Sequence, residues 1–63
     1  MTLGAIIMKH KVQNGLTNYQ LGQKIGISGY TLGIILEGRS DLVPRRELMF
    51  SLELLEDFAK DLI

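Results

Sequence analysis

The stretch GISGYTLGIILEG, residues 26 to 38, holds the side chains most open to a chemical reading. Ser28, Tyr30 and Thr31 carry hydroxyls that both donate and accept hydrogen bonds. Ile34 offers methyl groups for apolar contact, and Gly29 and Gly33 leave the backbone bare. From Ser28 to Glu37 there is no Gln, Asn, Arg or Lys, the side chains that usually read base edges from a helix. Catalytic chemistry has less to work with. The chain has no Cys and one His, His10, which removes disulfides, thiolate metal sites and any multi-histidine site within one chain. The carboxylates of the C-terminal part are scattered and form no acid–base pair. There is no nucleophile–base arrangement, phosphate-cradling loop or metal-ligand spacing. The chain is expected to be no enzyme, with no catalytic residue, no metal and no cofactor.

Length and charge narrow the classes further. The 63 residues suffice for one small domain. Such a domain buries only about 60% of its unfolded surface, so its stability is marginal and is helped by association. The net charge of zero hides a split. Residues 1 to 46 hold six basic residues (Lys9, Lys11, Lys24, Arg39, Arg45, Arg46) against Glu37 and Asp41, a net of +4. Residues 47 to 63 hold Lys60 against Glu47, Glu53, Glu56, Asp57 and Asp61, a net of −4. The split suggests a basic face toward a polyanion and an acidic end held away from it. Apolar runs are far too short to span a membrane. In MTLGAIIMKHK the lysines follow the apolar residues, the reverse of a secretory signal, so this segment reads as a short amphipathic helix. The absence of Cys fits a reducing compartment, and a cytoplasmic location is expected.

The elements that must position these residues are helical, and Asn-Gly, Gly and Pro separate them. The first helix is expected from about Thr2, as N-cap, to Gln13, with Leu3, Ile6, Ile7 and Val12 on its stripe and Asn14-Gly15 at its end. The second opens at Thr17, which forms a capping-box pattern with Gln20. Its Leu21 and Ile25 share a face, and Gly26 supplies a positive φ at the turn. The third runs from the N-cap Ser28 to Gly38 and buries Leu32, Ile35 and Leu36. Gly29 and Gly33 inside it each cost up to about 1 kcal/mol relative to Ala, which calls for a packing or docking reason or else leaves the helix soft. After the loop RSDLVP, the chain reads as helix from Pro44, a good first-turn residue. Leu48, Leu52, Leu55 and Leu62 form its stripe, flanked by Met49, Phe58 and Ala59. Ser51 is an alternative N-cap that would divide this segment in two. The apolar face is wider than one small core can cover, which points to a second partner surface, a dimer interface at Phe50, Leu54, Phe58 and Ile63.

Taken together, LTNYQLGQKIGISGYTLGIILEG, residues 16 to 38, resembles the helix-turn-helix of the phage Cro and repressor-like family. The matching positions are Leu16, Thr17, Leu21, Gly22, Ile25, Gly26, Ile27, Ser28, Thr31, Leu32, Ile35 and Gly38. The tail SLELLEDFAKDL is similar to the last helix of those domains, with Leu55, Phe58, Ala59 and Leu62 at core positions. The chain departs from the family in a longer connection from Gly38 to Ser51 and in an apolar second helix. The resemblance implies an all-α fold, a compact bundle of four to five short helices of the lambda-repressor-like kind. The resemblance covers most of the chain and implies one domain over residues 1 to 63, with the motif at 17 to 38 and a C-terminal helical segment at 45 to 62. It further implies a Cro-like transcriptional repressor that binds double-stranded DNA as a homodimer, with half-sites about one helical turn apart.

In such a frame Gly22 sits where the two helices cross, and the second presents Gly29, Tyr30, Gly33, Ile34 and Glu37 outward. Tyr30 can donate a hydrogen bond or pack on a thymine methyl, as can Ile34 by packing, and the glycines bring the backbone close to the bases. Ser28 and Thr31 can bond phosphates or base edges. Thr17, Asn18 and Tyr19 at a helix N-terminus, with Arg39, Arg45 and Arg46, are the expected phosphate contacts. The alternative is a protein-interaction module, an antirepressor or antitoxin-like partner of another regulatory protein. It would use Tyr30, Ile34 and the apolar C-terminal helix. The zero net charge favours it; the basic first part of the chain favours DNA.

Overall fold

Hydroxyl caps start three of the four helices. The computed structural model describes residues 2–63. It contains α1 (Leu3–Gln13), α2 (Asn18–Ile25), α3 (Gly29–Leu36), a 3-10 turn (Ser40–Leu42) and α4 (Arg45–Lys60), with no strand among the described residues. Thr2 Oγ1 accepts the Ala5 N–H at 3.2 Å. Thr17 and Gln20 exchange bonds, the Gln20 N–H to Thr17 Oγ1 at 3.1 Å and the Thr17 N–H to Gln20 Oε1 at 3.0 Å. Ser28 Oγ accepts the Thr31 N–H at 3.2 Å. Each bond satisfies an otherwise open first-turn donor, worth about 1 kcal/mol. The start of α4 differs from expectation. Pro44 sits one residue earlier than the first turn, as an N-cap with ψ of 138°, and its carbonyl accepts the Leu48 N–H at 2.8 Å.

The helices end on backbone geometry. At the end of α1, the Gly15 N–H reaches the Val12 carbonyl at 3.2 Å and the Leu16 N–H reaches that of Lys11 at 3.0 Å. At the end of α3, Gly38 reaches Ile35 at 3.1 Å and Arg39 reaches Ile34 at 3.0 Å. Both are Schellman closures. Gly26 ends α2 at a φ of 97°, and its N–H and that of Ile27 converge on the Gly22 carbonyl at 2.7 and 2.9 Å. A side chain at that φ is strained, so the turn into α3 depends on glycine.

Ile7, Leu21, Ile25, Ile27, Leu32, Leu55 and Ala59 form the core, one cluster fed by all four helices and the α2–α3 turn. α2 packs most closely on α3, α1 lies on α4 and touches α3, and the 3-10 turn stays with α3. The radius of gyration is 10.6 Å, which matches the ~10.6 Å expected of a well-packed chain of this length. Two expectations need correction. Val12 is 70% exposed, because α1 turns its Leu3–Ile6–Ile7 side to the core and Val12 falls outside that arc. Ser51 caps nothing. It is buried within one continuous α4, four residues before Leu55 and eight before Ala59, and is the small member of the inward stripe.

Candidate nucleic-acid interface

The N-terminal turn of α2 lies across α3, and this crossing decides what α3 shows. A Cβ at Gly22 would overlap the Ile27 carbonyl oxygen and come within 3.3 Å of the Gly29 nitrogen. A Cβ at Gly29 would lie 2.9 Å from Tyr19 Cα, and one at Gly33 2.9 Å from Asn18 Nδ2. Gly29 and Gly33 therefore flank α2. The packing reason for two glycines in a short helix is the close approach of Asn18 and Tyr19. The expected outward placement of both glycines therefore holds in part: one flank meets α2, and both still line an open depression.

Tyr30 is 81% exposed, and Ile34 one turn later is half-buried. Both line a shallow depression of about 370 Å³ with Asn18, Gly29, Gly33, Glu37, Arg39 and Leu42. The structure thus brings together four of the expected groove residues and two of the expected phosphate contacts. Asn18 Nδ2 lies over Gly33, while Asn18 Oδ1 is buried without a hydrogen-bond partner in the protein. Glu37 adds a carboxylate to the same depression.

Thr31 is not presented. It is 6% exposed, and its hydroxyl donates to Glu47 Oε1 at 3.0 Å while accepting from Ser28 Oγ at 2.9 Å. That relay binds the first turn of α3 to the first turn of α4, so Thr31 positions α3 and is withdrawn from any groove. Ser28 stays exposed, although its hydroxyl proton goes to Thr31. Among the phosphate candidates, Thr17 is exposed; its N–H is used in the capping box, and its hydroxyl oxygen accepts there. Tyr19 is exposed, and its hydroxyl oxygen accepts from Gln23 Nε2 at 3.0 Å.

Arg45 and Arg46 are exposed and form no ion pair; among the described residues the salt bridge is Lys60–Asp57, at 3.7 Å. They occupy the first turn of α4, where the helix dipole disfavours cations. Glu47 offsets them there. From the sequence it counted with the acidic end, yet the structure joins it to the basic part. A contact spanning 16 residues leaves no local signature.

The expected dimer residues divide. Leu54 and Phe58 pack against the core of their own chain, and the Phe58 ring meets His10 edge-on with centroids 5.4 Å apart. Both remain partly exposed. Phe50 and Ile63 stay 61% and 90% exposed. No group of metal-ligating side chains occurs among the described residues, and no helix there is long and apolar enough to cross a membrane. The chain matches no protein-family model, no curated protein and no solved structure.

Proposed function

We propose that the protein is a cytoplasmic, sequence-specific DNA-binding regulator of the Cro-like repressor kind that places α3 in the major groove. The observation that carries this reading is the exposed Tyr30 on the outer side of α3, with Asn18 and Arg39 in the same depression. Tyr30 and Ile34 would contact base edges and thymine methyls, and Asn18, Arg39 and Arg45 would contact phosphates. With few polar readers, discrimination would rest on methyl contact and DNA shape and would be modest.

Binding measured across a salt series on random-sequence and selected duplexes tests the reading. Arg39→Ala and Arg45→Ala should each lower the salt slope by about one unit on every sequence. Tyr30→Ala should cost about 1–3 kcal/mol on the preferred site and leave random-sequence binding intact. Parent protein that does not bind duplex DNA at low salt would refute the proposal. A second reading, docking of a regulatory protein on the same depression, is favoured by Glu37, which repels a polyanion, and by exposed Leu42 beside Tyr30. Under it, Tyr30→Ala abolishes partner binding and leaves DNA binding unchanged.

A further inference from the structure

The outer side of α4 carries two charges, Arg46 and Glu53, that its own chain does not pair, while Asp57 on the same side is held by Lys60 at 3.7 Å. Residues 46, 49, 50, 53 and 57 recur at helical spacing and share one side. They lie opposite the buried Ser51, Leu55 and Ala59. Met49 and Phe50, 60% and 61% exposed, form an apolar pair at its middle. Arg46 lies one turn before them, and Glu53 one turn after. Neither Arg46 nor Glu53 has an ionic partner among the described residues.

We propose that this stripe pairs with the same stripe of a second copy, antiparallel, across a two-fold axis passing between Met49 and Phe50. That placement sets Met49 against the partner's Phe50 and Arg46 against the partner's Glu53, each twice by symmetry. Arg46 and Glu53 are seven residues apart, about 10.5 Å along the helix. The two ionic pairs therefore flank the apolar centre. A parallel pairing would oppose Arg46 to Arg46 and Glu53 to Glu53, so the charges select one direction. With Glu53 on the stripe and Asp57 neutralised by Lys60, this side offers a nucleic acid no uniformly basic face. Arg46, disfavoured at the N-terminus of α4 in the monomer, gains a carboxylate in the dimer. The interface is isologous and closes at two copies. It moves the dimer surface from Leu54, Phe58 and Ile63 to Arg46, Met49, Phe50 and Glu53, and assigns Arg46 to the partner instead of to phosphate.

The test needs no nucleic acid, so it stands apart from the DNA reading. Sedimentation equilibrium of the parent, at concentrations up to about 1 mM, should show a reversible monomer–dimer equilibrium. Arg46→Glu and Glu53→Arg should each raise the dissociation constant about tenfold, because each creates two like-charge contacts. The double variant should return it to the parental value. Circular dichroism should find helix content unchanged, since both side chains are exposed. The chain has no Cys, so an equimolar mixture of Arg46→Cys and Glu53→Cys should oxidise to a mixed cross-link, with little from either alone. A monomeric parent, a double variant that stays dissociated, or Glu53→Cys that cross-links as well alone as in the mixture would each overturn the proposal.

Discussion

Replacing glycines along the α2–α3 crossing by alanine turns three distances into three stabilities. In a helix interior the exchange favours folding by about 0.5–1 kcal/mol when space allows. At Gly22 space does not allow it. The new Cβ would overlap the Ile27 carbonyl oxygen, and that carbonyl belongs to a turn fixed by Gly26 and by two bonds to the Gly22 carbonyl. Overpacking against backbone costs about 1–3 kcal/mol. The upper end applies here, so Gly22→Ala should lose about 2 kcal/mol net. At Gly29 the obstacle is again backbone, 2.9 Å away at Tyr19 Cα, but the overlap is smaller. Gly29 is also the first residue of α3, where alanine gains less, and a net loss of about 1 kcal/mol follows. At Gly33 the obstacle is Asn18 Nδ2, the end of a side chain that can turn aside. Gly33→Ala should be neutral or gain up to about 1 kcal/mol. With an unfolding entropy of about 2.1 cal/mol/K per residue, ~1 kcal/mol shifts the melting temperature of this chain by about 8 °C. Thermal melts should therefore place Gly22→Ala about 15 °C below the parent, Gly29→Ala about 8 °C below and Gly33→Ala level or above. Gly22→Ala that melts with the parent, or Gly33→Ala that melts below Gly29→Ala, would refute the described approach of α2 to α3.

Gly26→Val should destabilise by about 1–3 kcal/mol through backbone strain. The nearest atom to a Cβ there is Leu54 Cδ1 at an ordinary 3.8 Å, and urea unfolding with an unchanged slope checks it. Thr31→Val keeps the shape but removes the hydroxyl that donates to Glu47, and should cost about 1.5–3 kcal/mol for a bond to a charged group. In a double-mutant cycle with Glu47→Gln, a coupling energy indistinguishable from zero would show the relay to be unimportant.

Much of the fold was legible because its determinants are local. Thr2, Thr17 with Gln20, and Ser28 act on N–H groups three residues away, and Gly15, Gly26 and Gly38 act on their own turns. Such signals survive in a single sequence. What stayed hidden was set across the chain. Val12 has the right hydropathy for the α1 stripe, but the position of α4 decides which arc of α1 is covered. Ser51 has a capping residue's chemistry, and only the packing of α4 makes it the small member of an inward stripe. Leu54 and Phe58 look surplus to a small core until Gly26 and His10 are seen beside them.

The candidate site was legible in its residue types and in the outward placement of Tyr30, Ile34 and Glu37, but not in the placement of Thr31. Thr31 and Tyr30 are adjacent hydroxyl carriers on one helix, yet one faces α4 and the other solvent, 6% against 81% exposed. The two glycines of α3 look like an opening for a ligand, and a neighbouring helix takes one flank of each while both still line the depression. Once α2 occupies one flank and Glu47 holds another, α3 retains a narrow outward strip of Tyr30, Ile34 and Glu37, at helical spacing. Under the proposed DNA reading a strip this narrow discriminates only modestly, and Asn18 and Arg39, which line the same depression, would add anchorage on phosphates rather than base readout.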